Sequence, residues 1–298
     1  MIKALLLLYA IWGFNWVVMK VASFYFPPIT FSCYRFLSGA LVLLLFNLWL
    51  RLPLPPRRYW KWIIITGLLQ IAINSAAIQT GMNSLNAGLV AVLNYSMPMW
   101  VAILAHFFLH ERLTLRKIIG IFISLSGLCI LMNIDTAGNM SDILLCIGAA
   151  IAAAISGVII KYQDMTMKKK DCTMIQYTTW QMTAGAIFLL LFDMCIEQGP
   201  VTWNATAVAC LVYNGVLASA LAFFLWNFIL TQMEASKASI ATLVVPVVGV
   251  LCGIIFLGET MYWNTALGMI LILAGILLIV LQKSPLKLHP KISITAKK

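Results

Sequence analysis

The chain has 298 residues, of which 62% are hydrophobic and only 10% charged, and its mean hydropathy is +0.98. A water-soluble domain carries about 25% charged and about 45–50% apolar residues, so lipid must be the solvent for much of this surface. A soluble enzyme is excluded, and the net charge of +11 needs a reading other than nucleic-acid binding.

Stretches of about 20 mostly apolar residues cross a bilayer as helices. In chain order they fall at 3–22, 29–50, 60–82, 86–108 and 115–133, then at 142–162, 173–195, 205–231, 236–257 and 263–282. The first follows Met1-Ile2-Lys3 without an A-x-A-like cleavage site, so it reads as a retained span and not a signal peptide. The expected fold is an all-α integral membrane protein of ten transmembrane helices. The connections are short, and only 283–298 forms a polar tail.

Cytoplasmic loops collect Lys and Arg. With the N-terminus inside, Lys3, Arg51, Arg57, Arg58, Lys61, Arg112, Arg116, Lys117, Lys161, Lys168–Lys170, Lys237 and the tail hold 18 of the 20 basic residues. The remaining two are Lys20, near the outer end of span one, and Arg35, inside span two. Both termini are therefore expected in the cytoplasm of a cell whose plasma membrane holds the chain, a bacterial inner membrane being the expectation. The positive charge orients the protein against the lipid bilayer, and no nucleic-acid partner is implied. The seven cysteines are scattered without C-x-x-C pairing and read as packing residues. No metal site and no cofactor is expected.

A repeat runs through the chain. At a shift of 148 positions Ala87 falls on Ala235, Pro98 on Pro246, Glu111 on Glu259, Gly120 on Gly268 and Gly127 on Gly275. At a shift of 146, Gly39-Ala40 falls on Gly185-Ala186. The halves are 3–133 and 142–282, each with five spans, an odd number, so the second crosses in the opposite sense. Inverted repeats suit a carrier, because exchanging the conformations of two equivalent halves exchanges inward- and outward-open states.

Trp12-Gly13-Phe14-Asn15 with Lys20, the run Tyr34-Arg35-Phe36-Leu37 and the doubled Pro, Glu, Gly, Gly series resemble the EamA family of the drug/metabolite transporter superfamily. The resemblance covers nearly the whole chain. It implies a ten-helix exporter, export or exchange of small metabolites such as amino acids or drugs, and a central cavity lined by spans one, three, four, six, eight and nine. Span six departs from it, with Ala153-Ala154-Ile155-Ser156 where relatives often carry a Trp.

The residues themselves point to the same interior. One face of span nine reads Ala235, Ser239, Thr242, Pro246, Gly249, Gly253, and its counterpart in span four reads Ala87, Ala91, Asn94, Pro98, Val101, Ala105. Such faces either pack closely against other helices or line a cavity. Proline removes the helical partner of the carbonyl four residues earlier. Pro98 and Pro246 therefore act on Asn94 and Thr242, and the prolines are the expected hinges. Trp12, Asn15 and Trp16 in span one, Gln70 and Asn74 in span three and Trp226-Asn227 in span eight complete the expected substrate site. Aromatic walls with a few amides suit a small, partly apolar solute.

Arg35 either binds an anionic group or extends to the outer interface as an anchor, and its family position favours a structural or gating role. Glu111 and Glu259 are expected to cap or neutralise helix ends, again structural or gating. A membrane-embedded enzyme lacks H-E-x-x-H, G-x-S-x-G and an intramembrane carboxylate pair here. A non-transporting scaffold has no need of inverted halves. The small faces at Gly120–Gly127 and Gly268–Gly275 are compatible with a monomer or a homodimer. In a background without native cysteines, cysteines at Ala137 and Gly199 should react with an impermeant thiol reagent from outside sealed cells, and one at Thr166 should not. Labelling at Thr166 would reverse the orientation.

Overall fold

Apolar runs of this length leave the backbone no hydrogen-bond partner but itself in lipid, and the described residues of each run are mainly helical. The computed structural model describes residues 1–81, 85, 87–131, 140–167, 171–196, 199–258 and 262–280. Helices are the only regular structure among the described residues. They are α1 (Ile2–Ala22), α2 (Pro28–Trp49), α3 (Arg57–Gly81), α4 (Ala87–Asn94), α5 (Met97–Phe108) and α6 (Leu115–Leu131). The chain continues with α7 (Met140–Thr166), α8 (Met174–Met194), α9 (Ala205–Gln232), α10 (Ala235–Ala241), α11 (Val244–Leu257) and α12 (Trp263–Val280).

Among the described residues six helical stretches are long and apolar enough to span a bilayer: α1, α2, α3, α7, α9 and α10 with α11. Leu6, Leu48, Phe122, Ile187, Ile255 and Ile270 stand exposed on the outer faces, a surface that suits hydrocarbon and not water. The starts of the helices are set locally. Pro28 begins α2, where its missing N–H costs nothing. Thr173 and Gln176 form a capping box at α8, and the Asn204 side chain accepts from Ala207 N–H at 2.8 Å to open α9.

Two features depart from plain spans. The stretches expected as single helices at 86–108 and 236–257 are each broken in the middle, at Tyr95-Ser96 and at Thr242-Leu243. Pro98 lies in the first turn of α5 and Pro246 near the start of α11. The prolines thus begin a second helix and do not kink a continuous one. The Thr242 carbonyl, expected to lose its partner, accepts from Val245 N–H at 2.9 Å in a tighter turn. Inside α3 and α9 the second departure appears: wider π turns at Leu68–Ile73 and Tyr213–Leu221, after α-helical runs of 11 and 8 residues.

Glycines hold the helices together at close range. α6 and α12 run antiparallel: a Cβ on Gly120 would lie 2.7 Å from the Gly275 carbonyl, and one on Gly127 2.7 Å from the Gly268 carbonyl. Between those contacts Ser124 Oγ donates to the Ile272 carbonyl at 3.2 Å. The small faces on these helices are therefore used within the chain. Similar contacts join Gly67 with Gly185, Gly39 with Gly215, and Gly249 with the Trp16 ring. All seven cysteines are free, with Cys33, Cys146, Cys172 and Cys210 buried as packing residues.

Helix ends also meet across the molecule. At one end Arg58 pairs with Asp171, and Lys117 Nζ lies 2.8 Å from Glu234. Toward the opposite end Thr30 Oγ1 donates to Asp193 at 3.0 Å, and Thr202 N–H donates to the Tyr25 carbonyl at 2.9 Å. Lys117, counted with the loop charges, lies in α6 with its side chain only 4% exposed.

Gly275→Leu should lower the melting temperature markedly, because its Cβ would sit 2.5 Å from the Gly120 carbonyl and overpacking costs about 1–3 kcal/mol. Gly148→Leu, where nothing lies within 4 Å of the added Cβ, is the control and should leave it nearly unchanged. Equal melting temperatures would show that the α6–α12 contact yields freely.

Candidate functional site: a polar and aromatic cavity

The broken helices and the π turns converge on one interior space. A cavity of about 230 Å³ opens between α1, α2, α3, the α4–α5 break, α7, α9 and the α10–α11 break. Eight of the nine residues expected to bind substrate line it: Trp12, Asn15, Trp16, Gln70, Asn74, Asn94, Trp226 and Thr242. Arg35 lines it as well.

The aromatic wall is built around Trp12. Its ring meets Phe223 edge-on at 5.7 Å and lies 6.4 Å from Trp226. Trp12 Nε1–H donates to the Ala218 carbonyl at 3.0 Å, inside the π turn of α9. A π turn offsets the helical ladder, which suits a carbonyl to a side-chain donor, and the second half thereby fixes the first half's Trp. Trp16 faces Tyr95 at 6.5 Å, against the α4–α5 break.

The amides join the helices across the same space. Asn74 Nδ2 donates to Asn94 Oδ1 at 3.1 Å and to the Ala149 carbonyl at 3.0 Å, tying α3 to α4 and α7. Gln70 Oε1 accepts from Ser156 Oγ at 2.9 Å and from Gln181 Nε2 at 3.0 Å. Gln79 Nε2 donates to Ser32 Oγ at 3.1 Å. Thr242 Oγ1 donates back to the Ser239 carbonyl at 2.6 Å, stabilising the turn where α10 ends.

Asn227 is the exception. It is fully buried beside the cavity and not in its wall, donating to Thr178 Oγ1 at 2.9 Å and Gln181 Oε1 at 2.8 Å. Trp226 and Asn227 are neighbours on a helix and point about 100° apart, so only one can face the cavity. The Arg35 side chain lies in the cavity wall: Nη1 is 3.6 Å from Met19 Sδ, and the group sits 4.5 Å from the Phe36 ring centre. Pro98 and Pro246 are buried behind the breaks and do not line the cavity. The sequence reading also missed Ser32, Phe36, Ser75, Gln79, Tyr95 and Phe223 in the wall. Helical phase could have found Phe223, three residues before Trp226; nothing local marked Tyr95, which the unforeseen break turns inward.

Glu111 lies away from the cavity and ties the two halves of the chain together. Its carboxylate accepts from Ala235 N–H at 2.6 Å, from Ser236 N–H at 3.1 Å and from the Ser236 hydroxyl. It thus caps the start of α10, as expected for a residue that neutralises a helix end. Lys117 Nζ lies 3.9 Å away and bonds Glu234 and Ser236, each at 2.8 Å. Lys161 Nζ donates to the Thr231 carbonyl at 3.3 Å close by. Glu259, the repeat counterpart of Glu111, is outside the described residues.

Apolar outer faces, polar groups gathered around one interior cavity and helices broken beside it define a multi-pass membrane transporter. The comparisons agree. The profile of the EamA-like transporter family matches twice, over residues 1–133 and 140–281, and the chain belongs to that family. It is 33% identical over 274 residues to "Uncharacterized transporter YoaV" of Bacillus subtilis strain 168, covering 89% of this chain and 91% of that one. It is 28% identical over 280 residues to a "Probable amino-acid metabolite efflux pump" of Salmonella typhimurium strain LT2, covering 91% of each. A solved crystal structure shares the fold with a TM-score of 0.79 at 16% identity, over 94% of this chain and 99% of that one. The relatives are transporters and pumps, and this chain is a transporter, not an enzyme.

Glu111→Ala should lower the melting temperature, since losing a helix cap costs about 0.5–2 kcal/mol and Lys117 loses part of its charge compensation. Glu111→Gln, which keeps an acceptor oxygen, should lose less. Equal losses in the two variants would show that the carboxylate's hydrogen bonds do not hold α10.

Proposed function

We propose that the protein exports or exchanges small, partly apolar metabolites, amino acids or similar solutes, by alternating access across a bacterial inner membrane. In this reading ten crossings form two inverted five-helix halves, 3–133 and 142–282, with both termini and the tail 283–298 in the cytoplasm. The observation that carries it is the cavity itself, where both broken helices meet and polar groups from each half, Asn94 and Thr242, share one wall.

Several features support the inversion. The α6–α12 contact pairs Gly120 with Gly275 and Gly127 with Gly268. Under the repeat these are one contact seen twice, as an approximate two-fold axis near Ser124 and Ile272 requires. In this reading the axis runs across the antiparallel pair, in the membrane plane. The helix breaks and the π turns recur in corresponding stretches. Left-handed backbone recurs too, at His110 (φ 55°) and Gly258 (φ 67°), 148 positions apart.

The Glu111–Ser236–Lys117–Glu234 cluster joins the halves at the end where the positive charge gathers, the proposed cytoplasmic side. The cavity reaches toward the opposite side, past Met19, Ser32 and Gln79. The cluster therefore serves as the inner gate of an outward-facing state, and opening it requires α10 to leave Glu111. Short helices ending in turns at Tyr95-Ser96 and Thr242-Leu243 supply the hinges.

Asn94→Leu and Thr242→Leu should remain folded and block transport, because the new side chain takes space the solute needs in a cavity of about 230 Å³. Efflux of a labelled amino-acid mixture from proteoliposomes, counted per folded molecule, should fall roughly tenfold or more, a loss equal to about 1.4 kcal/mol of recognition. Normal efflux in both variants would remove this cavity as the transport site.

A further inference from the structure

The transport reading leaves the solute's recognition group open, and Arg35 narrows it. The side chain sits about 10 Å into α2, seven residues after Pro28 at 1.5 Å per residue. A guanidinium carries five N–H donors. Here Nη1 meets only the weakly accepting thioether of Met19 at 3.6 Å, and Nε is buried without a hydrogen-bond partner. Among the described residues no carboxylate pairs with it. A charge held at this depth is costly unless something compensates it.

The described wall around it supplies only the Phe36 ring face and no compensating charge. Among the described residues Arg35 is the single charged side chain lining the cavity, and no Asp or Glu lines it there. The rest of the described lining is apolar, aromatic, amide or hydroxyl, with Trp16, Ser32, Phe36, Gln79 and Phe223 among it. Among the described residues the one unpaired buried acceptor in the wall is Asn15 Oδ1. An amide oxygen accepts a neutral N–H or O–H as well as an ammonium proton, so it does not by itself require a cationic group.

We propose that Arg35 anchors the carboxylate of the transported solute, so that the substrate class is a small carboxylic acid with an apolar or aromatic body and no required ammonium group. This rests on the cavity being the transport site. A carboxylate matches the guanidinium fork with two parallel hydrogen bonds. One positive charge in a space of about 230 Å³ balances a monoanion and leaves a phosphate dianion under-compensated. The aromatic rings take the apolar body, and Asn15 receives a hydroxyl or amino proton where the solute has one. Amino acids remain substrates on this account through their carboxylates, with the ammonium adding little because no acidic side chain receives it.

The test uses purified full-length protein and ligands that share one body but differ in charge. For a phenyl body these are 3-phenylpropionate, L-phenylalanine, 3-phenylpropanamide and phenethylamine; a branched aliphatic series and inorganic phosphate complete the set. Thermal shift and calorimetry should show the two acids binding within about tenfold of each other, and the amide, amine and phosphate roughly 10- to 100-fold more weakly, the range for losing a charged hydrogen bond. Arg35→Gln should remove that preference, and Arg35→Lys should restore it only in part, because an ammonium lacks the fork. Amides or amines binding as tightly as the acids to wild-type protein would overturn the carboxylate anchor, whether or not the variants fold. Acids binding unchanged to folded Arg35→Gln would do the same. If non-acids bind and Asn94→Leu abolishes their efflux, the cavity stands as the transport site and only the anchor fails. Absence of both binding and efflux for every series would defeat the transport reading together with the anchor.

Discussion

Inside a bilayer a backbone N–H or C=O has no water to turn to, and this constraint shapes the helix irregularities around the cavity. Where the helices are regular they face lipid with Leu, Ile and Phe. Where they are irregular, a side chain or a tighter turn takes up the freed group. The Ala218 carbonyl in the α9 π turn takes the Trp12 indole N–H, and the Thr66 carbonyl just before the α3 π turn takes Ser156 Oγ. The Thr242 carbonyl at the α10–α11 break takes Val245 N–H. Each repair lies in or beside the cavity, so the deviations that make room for a solute are also the points that hold neighbouring helices in place.

The buried polar side chains follow the same logic. Asn227, Thr178, Gln181, Gln70 and Ser156 form one connected set across α9, α8, α3 and α7. One member, Gln70, is in the cavity wall. Another, Asn227, is sealed away from it. A change at the wall is thus connected by direct hydrogen bonds to α8, which contributes no residue to that wall. The Glu111 cluster is separate and works by charge: a carboxylate at the start of α10, a buried Lys117 and a second carboxylate at Glu234. In the proposed cycle the first set keeps its partners while the second opens, since amide and hydroxyl bonds deep in the bundle have no water to replace them and charges at its end do.

Two features stand in contrast within the cavity. The amides are mostly committed to each other, as Asn74 is to Asn94, whereas the Arg35 guanidinium has only a thioether and a ring face. Committed amides shape the space, and the role proposed for the uncommitted cation is to recognise what enters it.

Much of the membrane character and the family was legible in the sequence, because bilayer thickness converts directly into runs of apolar residues and loop charge into a sidedness expectation. The doubled Pro, Glu and Gly positions pointed to the halves, and periodicity placed Trp12, Asn15, Trp16, Gln70 and Asn74 on faces that do line the cavity. Only the tertiary structure decided the rest. Helical phase is lost across a break or a wide turn, so the sequence could not reveal that Tyr95 turns inward or that Asn227 turns to α8 while Trp226 faces the cavity. Proline reads alike whether it kinks a helix or begins one, and the break before Pro98 settles that choice. Arg35 is the same residue whether it reaches outward or inward. Which way it points depends on Met19, Phe36 and the space beside them, contacts between helices that no local pattern encodes.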